Sequence, residues 1–285
     1  MTNDDKVLEM SRYIDIEMYD KYEEEHPFYR DMSWRMIQMG RQHRTDLNGN
    51  RSRGSTGRWR VLELGAGTGL FTKRLAEEQD WDVTAVELDS TCHDVLRRKM
   101  SPYSNVTCWR ADSRSFEGAA PYDIVFSSFA DHHICDADKV GYLVNVRKNL
   151  RDDGVFIVGE ELLPTYEPQD PKSRDMAIRT YHEFIISQMS TIESSEARTL
   201  LAELERQAML SGLARHGDFK VSESVYRTLL AEAHMQSEPI LIGPNGRNDV
   251  GGVFVVKAFK EQMTCADVPS EERSATSIEV SDASP

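Results

Sequence analysis

The chain is predicted to be an α/β protein: an open, mostly parallel sheet of seven strands with helices on both faces, an antiparallel last strand and an added helical cap. Three observations predict this. Apolar strand-like runs alternate with helical patterns from Arg60 to Leu150. The first run ends in a glycine turn, RVLELGAGTGLFTKR at Arg60–Arg74. Between Leu163 and Gly217 the alternation gives way to helix-rich sequence far too long for an ordinary crossover loop.

Composition bounds the function classes. With 285 residues and 39% hydrophobic side chains the chain can fill a sizeable core, so a globular enzyme is well within range. A formal net charge of −14 argues against a broad polyanion-binding surface, so no nucleic acid partner is expected. The opening MTNDDKVLEM lacks the basic-then-apolar pattern of a secretion signal, and no apolar run approaches the roughly 20 residues of a membrane span. The expected location is therefore cytoplasmic, with no membrane partner. Cys92, Cys108, Cys135 and Cys265 form no CxxC pair, which favours reduced thiols. The DHHIC text at Asp131–Cys135 superficially matches a palmitoyl-transferase signature, but neither membrane spans nor further zinc-binding cysteines accompany it.

Taken in order, residues 1–43 read as a helical lid broken at His26-Pro27, with Tyr19, Tyr22, Tyr29 and Trp34 among acidic residues. The ordinary alternative is an amphipathic pair packing its rings on the main domain. Residues 44–58, rich in Gly, Ser, Asn and Arg, read as a flexible linker. Residues 59–162 and 218–260 are expected to form the core. Its strands are placed near 60–64, 82–88, 105–111, 122–128, 154–158, 239–242 and 252–259, with helices near 68–79, 91–100, 138–150 and 222–233. The last two strands, joined by the turn PNGRND, should be antiparallel to each other. Residues 163–217 are the inserted cap. The acidic, Ser-rich tail 261–285 favours disorder.

In an open α/β sheet, ligands bind beyond the carboxyl ends of the strands, and the informative residues fall there. GAGTG after the first strand permits close backbone approach, although glycines also serve plain turns. Glu87 ends the second strand about 20 residues on, where an acid accepts ribose hydroxyls. Asp112 and Ser113 follow the third, with a carboxylate and a backbone N–H suited to an adenine edge.

On these residues, and on VLELGAGTG, AVELD, WRADSRSF, YDIVFSS and GVFIVGEELL, the stretch from Arg60 to about Lys260 resembles the class I S-adenosylmethionine-dependent methyltransferases, of the type acting on metabolites and natural products. The resemblance implies a Rossmann-like sheet and S-adenosyl-L-methionine as cofactor. It assigns Glu63, Gly65, Gly67 and Gly69 to the methionine part, Glu87 to the ribose, Asp112 and Ser113 to the adenine, and Ser127, Ser128 and Phe129 to the sulfonium region. Tyr22, Ala66 and Leu88 are further expected cofactor contacts. A dinucleotide enzyme is the nearest competitor, but Leu70 stands where the third glycine of its fingerprint belongs. The nucleic-acid-methylating branches resemble one another in an Asn-Pro-Pro-Tyr type signature after strand four, and SSFADHH occupies that position here.

Methyl transfer to an O–H or N–H acceptor requires alignment and removal of a proton, which suits a histidine. His133 and His132 after strand four are the first candidates for the base, followed by His182 in the cap. His26, Tyr29, Phe129, Tyr181 and His216 are the expected acceptor contacts. The ordinary alternative for each histidine is a packed or capping role. Adjacent histidines point in different directions on most backbones and the spacing matches no zinc pattern, so no metal site is expected. The expected partner is a small-molecule methyl acceptor, with the chain a monomer or homodimer. The competing readings are a cofactor-binding protein that performs no methyl transfer, whether a regulator or a catalyst of another reaction, and a protein methyltransferase.

Overall fold

The computed structural model describes residues 15–47 and 57–261. The expected linker falls largely, and the acidic tail beyond Glu261 wholly, outside the described residues. Seven strands form one sheet in the order β3-β2-β1-β4-β5-β7-β6. They are β1 (Trp59–Leu64), β2 (Trp81–Glu87), β3 (Val106–Arg110), β4 (Tyr122–Ser128), β5 (Leu150–Leu162), β6 (Met235–Gly243) and β7 (Gly252–Lys260). The first five are parallel, and β7 runs antiparallel to both β5 and β6. Rossmann-like architecture and the antiparallel end are therefore as the sequence predicts. The reversal of strand order between β1 and β4 puts the crevice of such a sheet over the glycine turn.

Strand β5 is the main departure among the strands. It is 13 residues long rather than the expected five, because Leu150 pairs with Tyr122 at one end and Glu160–Leu162 pair with β7 at the other. The extension carries Glu160 and Glu161 beyond the end of β4, and Glu161 lines the crevice.

Helices α3 (Leu70–Ala76), α4 (Ser90–Met100), α5 (Lys139–Asn149) and α8 (Glu223–Glu232) are the expected crossovers. Asp89 starts α4 by accepting the Thr91 and Cys92 amides, and Ser222 starts α8 by accepting that of Val225. Tyr142, Leu143 and Val146 of α5 and Tyr226 and Leu230 of α8 cover one sheet face, together with Leu62, Val125 and Phe156.

The other face shows why the lid assignment for residues 1–43 must be narrowed. Helix α1 (Ile16–Tyr22) and a 3₁₀ turn at Glu23–Glu25 end at the expected His26-Pro27 break. Helix α2 (Tyr29–Leu47) then runs beneath the sheet as a core layer, with Met32 and Met36 wholly buried. Full burial of side chains of this size contributes roughly 1.5–3 kcal/mol each. Gly159 of β5 permits the close crossing: a Cβ there would lie 2.5 Å from the sulfurs of both methionines. Residues 1–14 of the expected lid lie outside the described residues; among the described residues of the segment, those that face the crevice fall between Tyr19 and Tyr29, and the helix extends into the expected linker, to Leu47.

The cap is an antiparallel pair, α6 (Pro171–Gln188) and α7 (Ser195–Ala214). Asp170 and Pro171 start α6, and Ser194 starts α7. Tyr181, Ile178, Ile185 and Leu201 form a separate apolar cluster with Tyr22 of α1, so lid and cap share one core. Among the described residues no helix is long and apolar enough to cross a membrane.

Candidate active site

Two cavities of about 130 and 240 Å³ adjoin at the carboxyl ends of β1, β2, β4 and β5. Tyr19, Glu23, Phe129 and His133 line both.

The first cavity lies over the glycine turn. Gly65, Ala66 and Gly67 form its floor, with Glu63 and Leu88 beside them. Gly65 sits at φ 70°, and a Cβ there would lie 2.4 Å from the Cβ of Ala130, so the loops after β1 and β4 touch at this point. Gly69 is displaced from the wall; it is the left-handed residue that starts α3. Glu87 accepts the Gly67 amide at 2.7 Å through one oxygen and the Asp89 amide at 2.7 Å through the other, which orients its carboxylate on the turn. Burial raises its pKa against these bonds. Glu63 is buried, one of its oxygens lacks a partner within the chain, and burial pushes it up to about 8. Asp112 and Ser113 line the far end. Arg114 grips Asp112 at 2.6 Å through Nη2 and reaches Asp138 at 2.7 Å through Nη1. Burial opposes ionisation of Asp112, but these hydrogen bonds outweigh it and hold the carboxyl below its usual value.

Two cofactor assignments are corrected. Ser127 points away from the cavity and donates to Asp131 at 2.6 Å, whereas Ser128 lines the wall. Alternation along β4 sends the two hydroxyls to opposite faces. Tyr22 turns toward the cap and donates to Glu196, leaving Tyr19 and Tyr29 in the wall.

The second cavity lies under the cap, bordered by His26, His132, His133 and His216. Phe129, at φ 51°, stands at the junction with His26 and Tyr29 edge-on to its ring at 5.6 and 5.5 Å. Both candidate histidines share a 3₁₀ turn, ring centroids 4.2 Å apart, and face this one cavity, against the expectation that adjacent histidines diverge. His133 Nδ1 donates to the Gly217 carbonyl at 2.8 Å, which assigns the proton to Nδ1 and leaves Nε2 as a lone pair. His132 Nδ1 bonds Glu160 at 2.7 Å, and the same carboxylate accepts the His132 amide at 3.0 Å. Burial pushes His132 down to about 3 and His133 to about 4, so both rings are neutral at physiological pH. Their loop is anchored by buried Asp131, which accepts from Ser127, from Tyr142 at 2.7 Å and from Tyr226.

His182 and Tyr181 are also corrected. They line neither cavity and stand behind the wall, His182 Nδ1 at 2.6 Å from Glu205 and the Tyr181 hydroxyl at 2.8 Å from Glu161. Successive residues of a helix packed on its neighbours point inward together when its interface is wide, and α6 buries both. The charged wall itself escaped sequence reasoning. Glu205 also holds His26 at 2.9 Å, and Lys220 bridges Glu161 at 3.2 Å and Asp218. Burial works against every one of these charges, and the partners prevail: Lys220 and His26 are raised, Glu205 and Asp218 lowered. The nitrogen and oxygens of His26, Glu161 and Glu205 fall within 4.8 Å of one another, already neutralised by this pairing. The available signals were the paired acids of GEEL and the alternation DFK at 218–220.

Residues 61–154 match a family model described as a methyltransferase domain. An uncharacterized methyltransferase of Oceanobacillus iheyensis is 27% identical over 109 residues, covering 38% of this chain and 49% of that protein. A ribosomal RNA small subunit methyltransferase A of Bacillus licheniformis is 32% identical over 111 residues, 39% of this chain and 35% of that one. The chain thus spans about half the length, or less, of the curated relatives it matches. Among solved structures, that of LepI in complex with SAM aligns with a TM-score of 0.50 at 12% identity, covering 76% of this chain and 46% of that one, a likeness of fold.

Proposed function

We propose that the chain, whose residues 61–154 match the methyltransferase-domain model, is a class I S-adenosylmethionine-dependent methyltransferase and that it methylates oxygen or nitrogen of a small molecule held under the cap. The observation that carries this reading is the pair of cavities meeting at Phe129 and His133.

The first cavity fits the cofactor on its own chemistry. The backbone of Gly65–Gly67 can approach a ligand closely, Glu87 and Asp112 offer remaining lone pairs for ribose and adenine, and the unpartnered oxygen of Glu63 suits an α-amino group. When bound, S-adenosylmethionine supplies a methyl group on a cationic sulfur. The chain's own contribution is alignment, exclusion of water and removal of a proton. Tyr19, Tyr29 and Phe129 wall the junction with rings, and the cap closes the acceptor side. His133 presents a neutral Nε2 held in one orientation by Gly217, ready to accept the acceptor's proton. A ring with a pKa near 4 is a weak base, which matches an acceptor atom whose proton becomes acidic only as it gains a bond to the methyl group. His132, oriented by Glu160, lends a second neutral ring to the same wall. Residues His26 and His216 complete the acceptor contacts.

A nucleic acid acceptor is the second reading, favoured by the likeness to ribosomal RNA methyltransferases. The cap helix over the acceptor cavity and a net charge of −14 weigh against it. Labelled cofactor incubated separately with a metabolite extract, total RNA and a protein extract discriminates the readings. Label in a small molecule with release of S-adenosylhomocysteine is expected. Label in RNA or protein overturns the acceptor class, and absence of calorimetric binding of the cofactor to folded protein overturns the activity.

A further inference from the structure

We infer that Glu23 is the counter-charge to the cationic sulfur of the cofactor, so that it makes the site prefer S-adenosylmethionine over its neutral thioether product. The inference rests on the methyltransferase reading above.

A methyl group that passes from one cavity to the other must start at their common wall, which consists of Tyr19, Glu23, Phe129 and His133. Phe129 is apolar and His133 is neutral. Glu23 is the only carboxyl group in that wall. It is carried there by the 3₁₀ turn between α1 and the His26-Pro27 break.

The surroundings of Glu23 leave it without a committed cation. From α1, the Tyr19 hydroxyl hydrogen-bonds it and Asp20 adds a like charge. From α4, Lys99 lies within reach, but its ammonium pairs with Asp20; Cys92 of the same helix stays a thiol, held up by burial. His26 is paired with Glu205. From α2 and β1, Tyr29 and Glu63 both feel the Glu23 charge as a repulsion. Burial dominates, and the carboxyl is pushed up to about 7. Near neutrality it is therefore divided between its protonated and ionised forms. A positive sulfur beside it favours the carboxylate and expels the proton; a thioether offers no such reward. Binding of the cofactor is then linked to ionisation of Glu23, and binding of the product is not.

The test is calorimetry of S-adenosylmethionine and S-adenosylhomocysteine on the full chain between pH 6 and 8, in two buffers of different ionisation enthalpy to count protons. For a group near 7, the ratio of the two affinities is expected to rise about tenfold over that interval. At pH 7 the cofactor should release about half a proton more than the product does. In Glu23→Gln the ratio should be independent of pH, with the thermal melt confirming a folded protein. In Tyr19→Phe, which removes a hydrogen bond to the carboxylate, the rise should survive with its midpoint at higher pH. Glu63 also titrates near this range, but both ligands carry the same amino-acid end, so Glu63→Gln should shift both affinities together and leave the ratio's slope intact. A flat ratio in the natural protein, or a slope that survives Glu23→Gln, overturns the inference while leaving the methyltransferase reading standing. Failure of both ligands to bind overturns that reading, and the inference with it.

Discussion

The two cavities share a wall, yet they are made from different materials. The cofactor side is built from main-chain turns at the ends of neighbouring strands, each stiffened by short-range bonds such as Glu87 to the Gly67 amide and Arg114 to Asp112. The acceptor side is built from side chains of segments far apart in the chain: His26 meets Glu205 across 179 positions, and Lys220 meets Glu161. One half is therefore fixed by the sheet itself. The other half exists only when lid, cap and return segment have all docked, and its buried ion pairs tie it together at a desolvation cost that good pairing only offsets.

The substitution expected to break both halves at once is Asp131→Ala, because the loop it anchors carries Phe129 and both histidines. Three hydroxyls, from Ser127, Tyr142 and Tyr226, lose their common acceptor. We expect a loss of about 3–5 kcal/mol in chemical denaturation. A loss under about 1 kcal/mol would mean that the loop is held by other contacts. Next in size, His133→Gln should separate the halves: turnover falls roughly a hundredfold while cofactor affinity stays within about twofold. Equal loss of both would mean that His133 serves the cofactor. Asp112→Ala is the converse, with cofactor affinity weakened about tenfold and bound-state turnover retained, read by calorimetry and saturating kinetics. Should Arg114, freed from Asp112, leave affinity unchanged, the adenine assignment fails.

The smallest effect belongs to protons on the acceptor side. His132 is neutral and buried with its pKa lowered from 6.5 to about 3. The unfolded chain thus binds more protons between those values, and stability falls as pH drops through 6.5 toward 3. From pH 7 to 6 the loss from this group is about 0.7 kcal/mol. His132→Gln should flatten that slope in urea melts, and an unchanged slope would assign it to other groups.

How much of this was legible in the sequence follows the same division. The glycine turn, Glu87 and Asp112 sit after their own strands, where local pattern and topology suffice to place them. Ser127 and Ser128 were both assigned to the cofactor because the pattern identifies the strand end but not which face each hydroxyl takes. Tyr22 and Tyr19 are three apart on α1; their separation into cap core and cavity wall depends on where α7 docks. Tyr181 and His182 read as pocket residues because the cap was expected to face the site, and their burial behind Glu161 and Glu205 reflects helix rotation that no periodicity records. Helix α2 carries aromatic and apolar residues that suit a lid or a core layer equally. What decided it was Gly159, more than a hundred residues later, which leaves the sheet surface open to Met32 and Met36. Glu161, Glu205 and Lys220 look like solvated charges until tertiary contacts pair them.

The extended tip of β5 has a consequence of its own. Glu160 and Glu161 are adjacent, and a strand sends neighbours to opposite sides. Glu160 serves His132 in the loop after β4, and Glu161 serves Tyr181 and Lys220 beneath the cap. The strand therefore works as a two-sided switchboard whose wiring is set by parity. Deleting Gly159 would send each carboxylate to the opposite side and would set Glu160, which serves a histidine, against Met32 and Met36. Change can accumulate freely in the exposed faces of the cap, but its connection to the sheet is counted residue by residue.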